Sequence, residues 1–269
     1  RKELGEQVAQ IERKRIKLTE RQYRLFDEFD FERNQRFLVE GGAGTGKTLC
    51  AVDLAQMEAA RGKKVLLSCF NAKLDRYFRN MVEPELIAGE VKPRAGIRIT
   101  RFHDLCRDLC KEAGIYVGGS SKDALLYRET YPRAAIEALK RLGPKYQFDT
   151  LIVDEGQDLI LNNYLDVVEE LLKGGIKNGK WAVFYDRDQN IYDGIEEDAL
   201  ERLRTVRPFN HELGVNCRNT IDIAAVAGAV SQIEPILNKA IKGIPPEIAW
   251  YRTPEEQRDQ VSMTLARWL

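Results

Sequence analysis

Short apolar runs alternate along this chain with longer segments in which apolar residues recur at helical spacing. The apolar runs at 36–40, 63–70, 97–100, 148–153 and 180–185 predict buried β-strands. The segments at 49–60, 72–81, 101–113, 131–142, 221–233 and 254–269 predict α-helices. A further strand is expected at 248–251, and loops at 89–96 and 114–121. Strands that alternate with helices predict an α/β fold with a parallel sheet.

Composition argues against a zinc-binding, disulfide-rich or membrane-spanning protein, but it does not identify a binding partner. The 42 Lys and Arg residues balance the 42 Asp and Glu residues, so a nucleic-acid site would have to be a local groove. The 5 Cys residues form no C-x-x-C motif, and His103 and His211 are the histidines, so neither a zinc site nor a disulfide framework is expected. This cysteine usage favours a cytoplasmic location. No apolar run is long enough to cross a bilayer, so no membrane partner is expected.

A phosphate-binding loop lies between the first predicted strand and the first predicted helix. It has the pattern of Gly, four residues, then Gly-Lys-Ser/Thr, and consists of Gly41, Gly42, Ala43, Gly44, Thr45, Gly46, Lys47 and Thr48. Glycines allow backbone N–H groups to turn toward phosphate oxygens at a helix N-terminus. Lys47 is expected to reach the β- and γ-phosphates, and the Thr48 hydroxyl to bind Mg²⁺. The sequence therefore predicts ATP and Mg²⁺ as cofactors.

A second acidic site follows the strand at 148–153. An apolar strand that ends in Asp154-Glu155, well after a phosphate-binding loop, is the Walker B arrangement. Asp154 would hold Mg²⁺ through water, and Glu155 would activate the attacking water as general base.

Three further positions have both a functional and an ordinary interpretation. Gln22, placed before the loop, could read the adenine edge with its amide, although an isolated Gln is usually a surface residue. Phe70 ends the second predicted strand, where parallel sheets place their ligands, and is either a core residue or a base-stacking surface. Arg218 is either a phosphate contact or a surface charge.

These segments, in this order, resemble the motifs of superfamily 1 helicases of the UvrD/Rep type, and more closely the helicase regions attached to nuclease-related (NERD-type) domains. The resemblance covers about residues 18–220. The Q motif corresponds to Gln22, and motifs I, Ia, the next DNA-contacting motif, II, III and IV correspond to 41–48, 70–71, 100–103, 154–158, 186–192 and 213–220.

The resemblance implies roles for individual residues. Gln189 would sense the γ-phosphate while Tyr192 stacks on a base, and Arg218 would contact the γ-phosphate across the cleft. The residues implied to contact single-stranded DNA are Phe70, Asn71, Thr100, Phe102, His103 and Tyr192. The chain departs from the family at Gly194 and Cys217, where aromatic residues are usual.

We therefore expect a RecA-like P-loop NTPase domain at 18–217, with a helical insertion at about 101–147, after an N-terminal helix or linker at 1–17. Residues 218–269 would begin a second domain, so the chain is expected to be a weakly active or inactive fragment of an ATP-dependent DNA helicase, with a fused nuclease possible outside it. Two alternatives stay open. One is an ATP-switched nucleic-acid-binding module that moves no strand, and the other is an RNA-directed enzyme of the same superfamily.

Overall fold

A six-stranded parallel sheet forms the centre of the protein in a computed structural model that describes residues 31, 33–82, 85–87, 90–92, 96–119, 125–189, 195–231, 242–243 and 246–268. The strands are β1 (Arg36–Gly41), β2 (Val65–Cys69), β3 (Glu85–Ile87), β4 (Glu90–Lys92), β5 (Ile97–Arg101), β6 (Thr150–Val153), β7 (Lys180–Tyr185) and β8 (Phe209–Leu213). The order across the main sheet is β5-β2-β6-β7-β1-β8, and β3 and β4 form a separate antiparallel pair. The expected α/β fold with a parallel sheet is confirmed.

Helices connect these strands. They are α1 (Lys47–Ala60), α2 (Ala72–Met81), α3 (Phe102–Glu112), α4 (Tyr131–Leu142), α5 (Asn162–Leu171), α6 (Gly175–Asn178), α7 (Glu197–Thr205), α8 (Ile221–Ser231) and α9 (Pro254–Trp268). A short π-helix at Leu126–Thr130 leads into α4, and short 3-10 helices lie at Pro144–Tyr146 and Gly156–Asp158. Within the described part of the chain, no helix has the length and apolar character needed to cross a bilayer.

Both faces of the sheet are buried, which explains the continuous apolar runs of its strands. Alternate residues of β1 point to opposite faces: Val39 packs in one hydrophobic cluster with α1 and α2, and Leu38 packs in the other with α3, α4, α5 and α7. Because the six strands of the main sheet run the same way, their carboxyl ends lie along one edge. The loops that follow β1, β2, β5, β6, β7 and β8 therefore meet there.

Several details differ from the sequence predictions. The expected loop at 89–96 contains β4, and the expected strand at 248–251 is irregular, with Trp250 85% exposed. An apolar, aromatic run forms a strand only where a neighbouring strand pairs with it, and 248–251 pairs with none of the described strands. The sequence interpretation also did not include β3, β8, α5, α6 or α7. Between β5 and β6 the structure has α3, the π-helix and α4.

Candidate nucleotide site and nucleic-acid interface

The phosphate-binding loop turns tightly between β1 and α1. Gly44 and Gly46 have φ of 80° and 93°, a region that residues with a Cβ rarely adopt. The Thr45 hydroxyl donates to the Gly42 carbonyl at 2.8 Å, which folds the loop back on itself. Gly46 precedes α1 without a side-chain cap, so no capping side chain competes for the first amides of the helix.

Lys47 lies at the centre of the site and is 6% exposed. Its ammonium donates to the carbonyls of Gly41 and Gly42, the latter at 3.0 Å, and lies 3.4 Å from a carboxylate oxygen of Asp186. The cation is thus held between the phosphate-binding loop and the end of β7. From there a flexible ammonium can exchange carbonyl oxygens for phosphate oxygens.

Asp154 follows β6 directly, and its carboxylate has the burial and the available acceptor oxygens expected of a metal ligand. It is 0% exposed, and neither of its carboxylate oxygens has a well-formed hydrogen bond from any described residue. Burial raises the pKa of Asp154 to about 6, whereas the nearby Thr48 hydroxyl acts to lower it. A buried carboxylate without a well-formed hydrogen bond, next to a hydroxyl, fits the hard oxygen ligands that Mg²⁺ prefers. Asp154 and Thr48 are therefore the residues that would hold this ion.

Glu155 has an unusual backbone conformation immediately after Asp154. Its φ of 54° and ψ of 47° lie in the left-handed region, which costs free energy in a residue with a side chain. Gly156 follows at a point where a Cβ would lie 2.6 Å from a methyl carbon of Val183. The Walker B turn therefore packs closely against β7, and Glu155 adopts the unfavourable backbone conformation that this packing requires.

Gln157 joins the Walker B turn to the loop after β7. Its amide nitrogen donates to the Glu155 carboxylate at 2.6 Å, and its amide oxygen accepts from the backbone N–H of Asp186 at 3.1 Å. Asp186, 2% exposed, also accepts from the side chain of Gln189 at 2.8 Å. The structure thus brings three predicted residues, Lys47, Glu155 and Gln189, into one network. Gln157 and Asp186, the residues that connect them, lie in the predicted motifs, but the sequence interpretation assigned neither an individual role.

The loop after β8 closes the site from the other side of the phosphate-binding loop. The backbone N–H of Cys217 donates to the Gly44 carbonyl at 2.8 Å. The Asn216 side chain accepts from the backbone N–H groups of Arg218 and Asn219, at 3.0 and 2.9 Å, and so fixes the turn. Arg218 is exposed and its Cβ lies 2.8 Å from where a Cβ on Gly44 would be. This predicted phosphate contact therefore lies beside the phosphate-binding loop.

An aromatic cluster lies where β2 and β5 end. The rings of Phe70 and His103 are half-buried and meet edge to face, 5.1 Å between centroids, and His103 also packs against Tyr127 at 5.1 Å. His103 shares a hydrogen bond of 2.8 Å with the Tyr164 hydroxyl. Burial lowers the pKa of His103 to about 4, so its ring is neutral at physiological pH. This cluster is the surface on which bases could stack.

The other predicted nucleic-acid residues have different surroundings. Asn71 is exposed, whereas Thr100 is buried, at 7% exposure. Phe102 is 4% exposed, and its ring packs 4.6 Å from that of Tyr164 in the hydrophobic core. A ring enclosed in this way presents little surface to a base, and the contact of Phe102 with nucleic acid stays a prediction. Gln22, Tyr192 and the segment 1–17 lie outside the described residues.

Comparison with known proteins gives the family. A solved structure described as Bacteroides Pif1 bound to ssDNA matches with 20% identity and a TM-score of 0.29, over 65% of this chain and 33% of that one. The chain thus spans about a third of the length of that structure. No curated protein matches. The family model for the Schlafen group 3, DNA/RNA helicase domain matches residues 34–226, from β1 through the loop that carries Arg218 and into α8. The chain belongs to this helicase-domain family.

Proposed function

We propose that this chain is the ATP-binding motor domain of a superfamily 1 helicase or translocase that hydrolyses ATP to move on single-stranded DNA. The observation that carries the proposal is the fully buried Asp154 carboxylate, which accepts no well-formed hydrogen bond from the described residues and lies close to the Thr48 hydroxyl and the Lys47 ammonium. A carboxylate in that environment is costly unless a cation binds it. Three finer statements remain predictions: the UvrD/Rep subtype, the link to nuclease-related proteins, and the assignment of the sheet to the RecA-like type.

Each part of the nucleotide site has a role in the proposal. The loop amides and Lys47 bind the phosphates, and Thr48 and Asp154 hold Mg²⁺. When bound, this ion would neutralise charge on the phosphoryl oxygens. Glu155 accepts a proton from the attacking water. Arg218, exposed beside Gly44, supplies positive charge from the side of β8.

The nucleic-acid part of the proposal depends on the aromatic cluster. Phe70 and His103 supply rings at the edge of the sheet that also holds the nucleotide site, and Asn71 is exposed next to Phe70. Stacking of a base on an aromatic ring contributes ~1–3 kcal/mol. We propose that Gln22 and Tyr192 complete the adenine and strand contacts, as the family resemblance implies.

An ATP-switched binding module that moves no strand is the second candidate. The observation in its favour is that Phe102 is enclosed and that Phe70 and His103 pack against each other, which leaves less ring surface for bases. The two candidates differ in turnover. A motor hydrolyses ATP faster when a single strand is present, and a switch binds ATP without such stimulation.

The experiment begins with MgATP binding by calorimetry to the 269-residue chain and to Lys47→Ala. The matched control is Lys177→Ala, an exposed lysine in α6. Lys47→Ala should abolish tight binding, because the β- and γ-phosphates lose their compact cation. Equal affinities for wild type and Lys47→Ala would contradict the nucleotide site.

Hydrolysis then separates the candidates. Steady-state turnover is measured on the full-length protein, because the 269-residue chain is expected to be weakly active or inactive, with no polymer, with single-stranded DNA and with single-stranded RNA of matched length. Glu155→Gln should keep MgATP binding and lose ~10²–10⁴-fold in turnover, because an amide does not accept the proton. Stimulation by DNA above RNA supports the DNA motor, the reverse supports the RNA-directed alternative, and ATP binding with no stimulation supports the switch.

A further inference from the structure

Gln157 is a buried amide whose two ends both contact the nucleotide site. It is 3% exposed, and it lies between the Glu155 carboxylate and the backbone N–H of Asp186. We infer that Gln157 is a positioning residue that holds the Glu155 carboxylate in a fixed relation to the loop carrying Asp186 and Gln189. The inference rests on the proposed function, because it concerns the same hydrolytic site.

The two neighbours of Gln157 explain why an amide is needed. An ionised carboxylate only accepts hydrogen bonds, and a backbone N–H only donates them. A residue that bridges Glu155 and Asp186 must therefore donate at one end and accept at the other. The same requirement fixes the orientation of the amide. Neither Glu nor Leu provides both functions at once.

Glu155 needs this support because its own backbone is strained. It adopts a left-handed conformation and its side chain is half-buried, so the direction of the carboxylate depends on what holds it. The bond from Gln157 is short, at 2.6 Å, as expected of a donor to a charged acceptor. A general base acts efficiently only when its oxygen is aligned with the water.

The other end of the bridge reaches the residues around the γ-phosphate position. Asp186 accepts from Gln189 at 2.8 Å and lies 3.4 Å from the Lys47 ammonium. A shift of the loop after β7 is therefore transmitted through Gln157 to Glu155 by two direct hydrogen bonds. In this arrangement the base is aligned only while Asp186 keeps its contacts with Lys47 and Gln189.

The test compares Gln157→Leu and Gln157→Glu with wild type and with Glu155→Gln. Gln157→Glu retains the acceptor for Asp186 and replaces the donor to Glu155 with a like charge, so it disrupts the contact of interest if Gln157→Leu folds poorly. The matched control is Gln147→Leu, which removes a 3.1 Å bond to the Glu170 carbonyl before the amino end of β6. Two readouts are used: turnover, and the affinity gained when aluminium fluoride is added to MgADP as a mimic of the transferred phosphoryl group.

A positioning role predicts that MgADP affinity stays within threefold of wild type in both Gln157 variants. The turnover number, where turnover is measurable, and the fluoride gain should fall on the order of 10- to 100-fold, with little change in KM. In the Glu155→Gln background the same substitutions should cost less than threefold, because the carboxylate that Gln157 positions is already absent. Gln147→Leu should change neither readout.

Four other results would contradict either the positioning role of Gln157 or the proposed function. Equal losses in the wild-type and Glu155→Gln backgrounds would show that Gln157 acts independently of Glu155 and would overturn the inference. Parallel losses of MgADP affinity and thermal stability would show a structural role alone and would also overturn it. Wild type that binds MgADP without any fluoride gain refutes the positioning role but leaves nucleotide binding intact. Wild type that binds no nucleotide refutes the proposed function itself.

Discussion

Two fully buried carboxylates, Glu58 and Asp154, lie at opposite ends of the same sheet and have opposite surroundings. Both are 0% exposed. Glu58, near the end of α1, is paired with Lys180 at 2.8 Å and Arg61 at 2.8 Å, and accepts from the Thr150 hydroxyl at 3.1 Å. Asp154 accepts no well-formed hydrogen bond from the described residues. The buried carboxylate at one end of the sheet is paired with cations, whereas the carboxylate at the other end can still accept a ligand.

The difference shows that the buried acids which lower the stability of the fold lie at the end of the sheet that holds the candidate site. At the amino ends of β6 and β7, the Glu58 cluster joins α1 to both strands. At the carboxyl ends, burial raises the pKa of Asp154 and of Asp158 to about 6, and it also raises the pKa of Asp186. Crowded, desolvated acids destabilise the fold on their own, and they are typical of sites that bind cations.

The largest effect that we expect follows removal of the satisfied carboxylate. Glu58→Ala should lower the free energy of unfolding by about 3–4 kcal/mol, because it leaves Lys180, 11% exposed, without its buried partner. The measurement is urea unfolding followed by circular dichroism. Glu137→Ala, which removes the exposed pair with Arg141 in α4, is the control and should cost at most ~0.5 kcal/mol. Similar losses for the two variants would mean that the Glu58 cluster is an ordinary surface pair.

A smaller effect concerns pH and the unsatisfied carboxylate. The pKa of Asp154 is about 6 in the folded protein against an ordinary value of 3.8, so the folded state binds the proton more tightly. The stability of the nucleotide-free protein should therefore fall as pH rises from about 4 through about 6. A gap of about two pK units corresponds to ~2–3 kcal/mol.

Asp154→Asn should remove that part of the pH dependence, as measured by urea unfolding at pH 4, 5, 6 and 7 without Mg²⁺. A residual decline of the same sign should persist, because the pKa values of Asp158 and Asp186 are also raised. Identical pH profiles for Asp154→Asn and wild type would show that Asp154 is not destabilising, and the contrast with Glu58 would fail.

The smallest expected effect tests the strained backbone of the site. Glu155 and Arg207 are the residues other than glycine, within the described ranges, that have positive φ, at 54° and 52°. At each position the glycine variant should be more stable than the matching alanine variant by about 0.5–1 kcal/mol, because both remove the same side-chain contacts and only glycine adopts this conformation without a Cβ clash. Of the two glycine variants, only Glu155→Gly should also remove hydrolysis. A gain of Arg207→Gly over Arg207→Ala, with no gain of Glu155→Gly over Glu155→Ala, would show that the Glu155 conformation does not destabilise the fold.

Local patterns in the sequence indicate the candidate nucleotide site. The phosphate-binding loop and Asp154-Glu155 are short, contiguous motifs next to strands, so neighbouring residues carry the whole signal. Helices α2 and α4 were predicted with the bounds that the structure shows, because their apolar residues recur at helical spacing within one segment. The strand ends then had to meet along one edge, since the sheet is parallel.

Features that depend on distant residues were not predictable in the same way. The Glu58 cluster joins Thr150 to a helix 92 positions earlier, and no pattern near Glu58 indicates that pairing. Gln157 was recognised as part of a motif, but its role depends on the backbone of Asp186, 29 positions later. The motif resemblance implies a nucleic-acid contact for Phe102, but its position on α3 packs the ring in the core beside Tyr164.

The close approach at Gly44 has a consequence for how the sequence of this family can change. A Cβ at Gly44 would lie 2.7 Å from the side-chain oxygen of Asn216 and 2.8 Å from the Cβ of Arg218, so the space beside the phosphate-binding loop is already filled by residues that follow the neighbouring strand β8. A larger residue at position 44 is compatible with this packing only if the loop after β8 moves away or carries smaller side chains. Positions 44, 216 and 218 should therefore vary together among relatives, although they lie far apart in the chain.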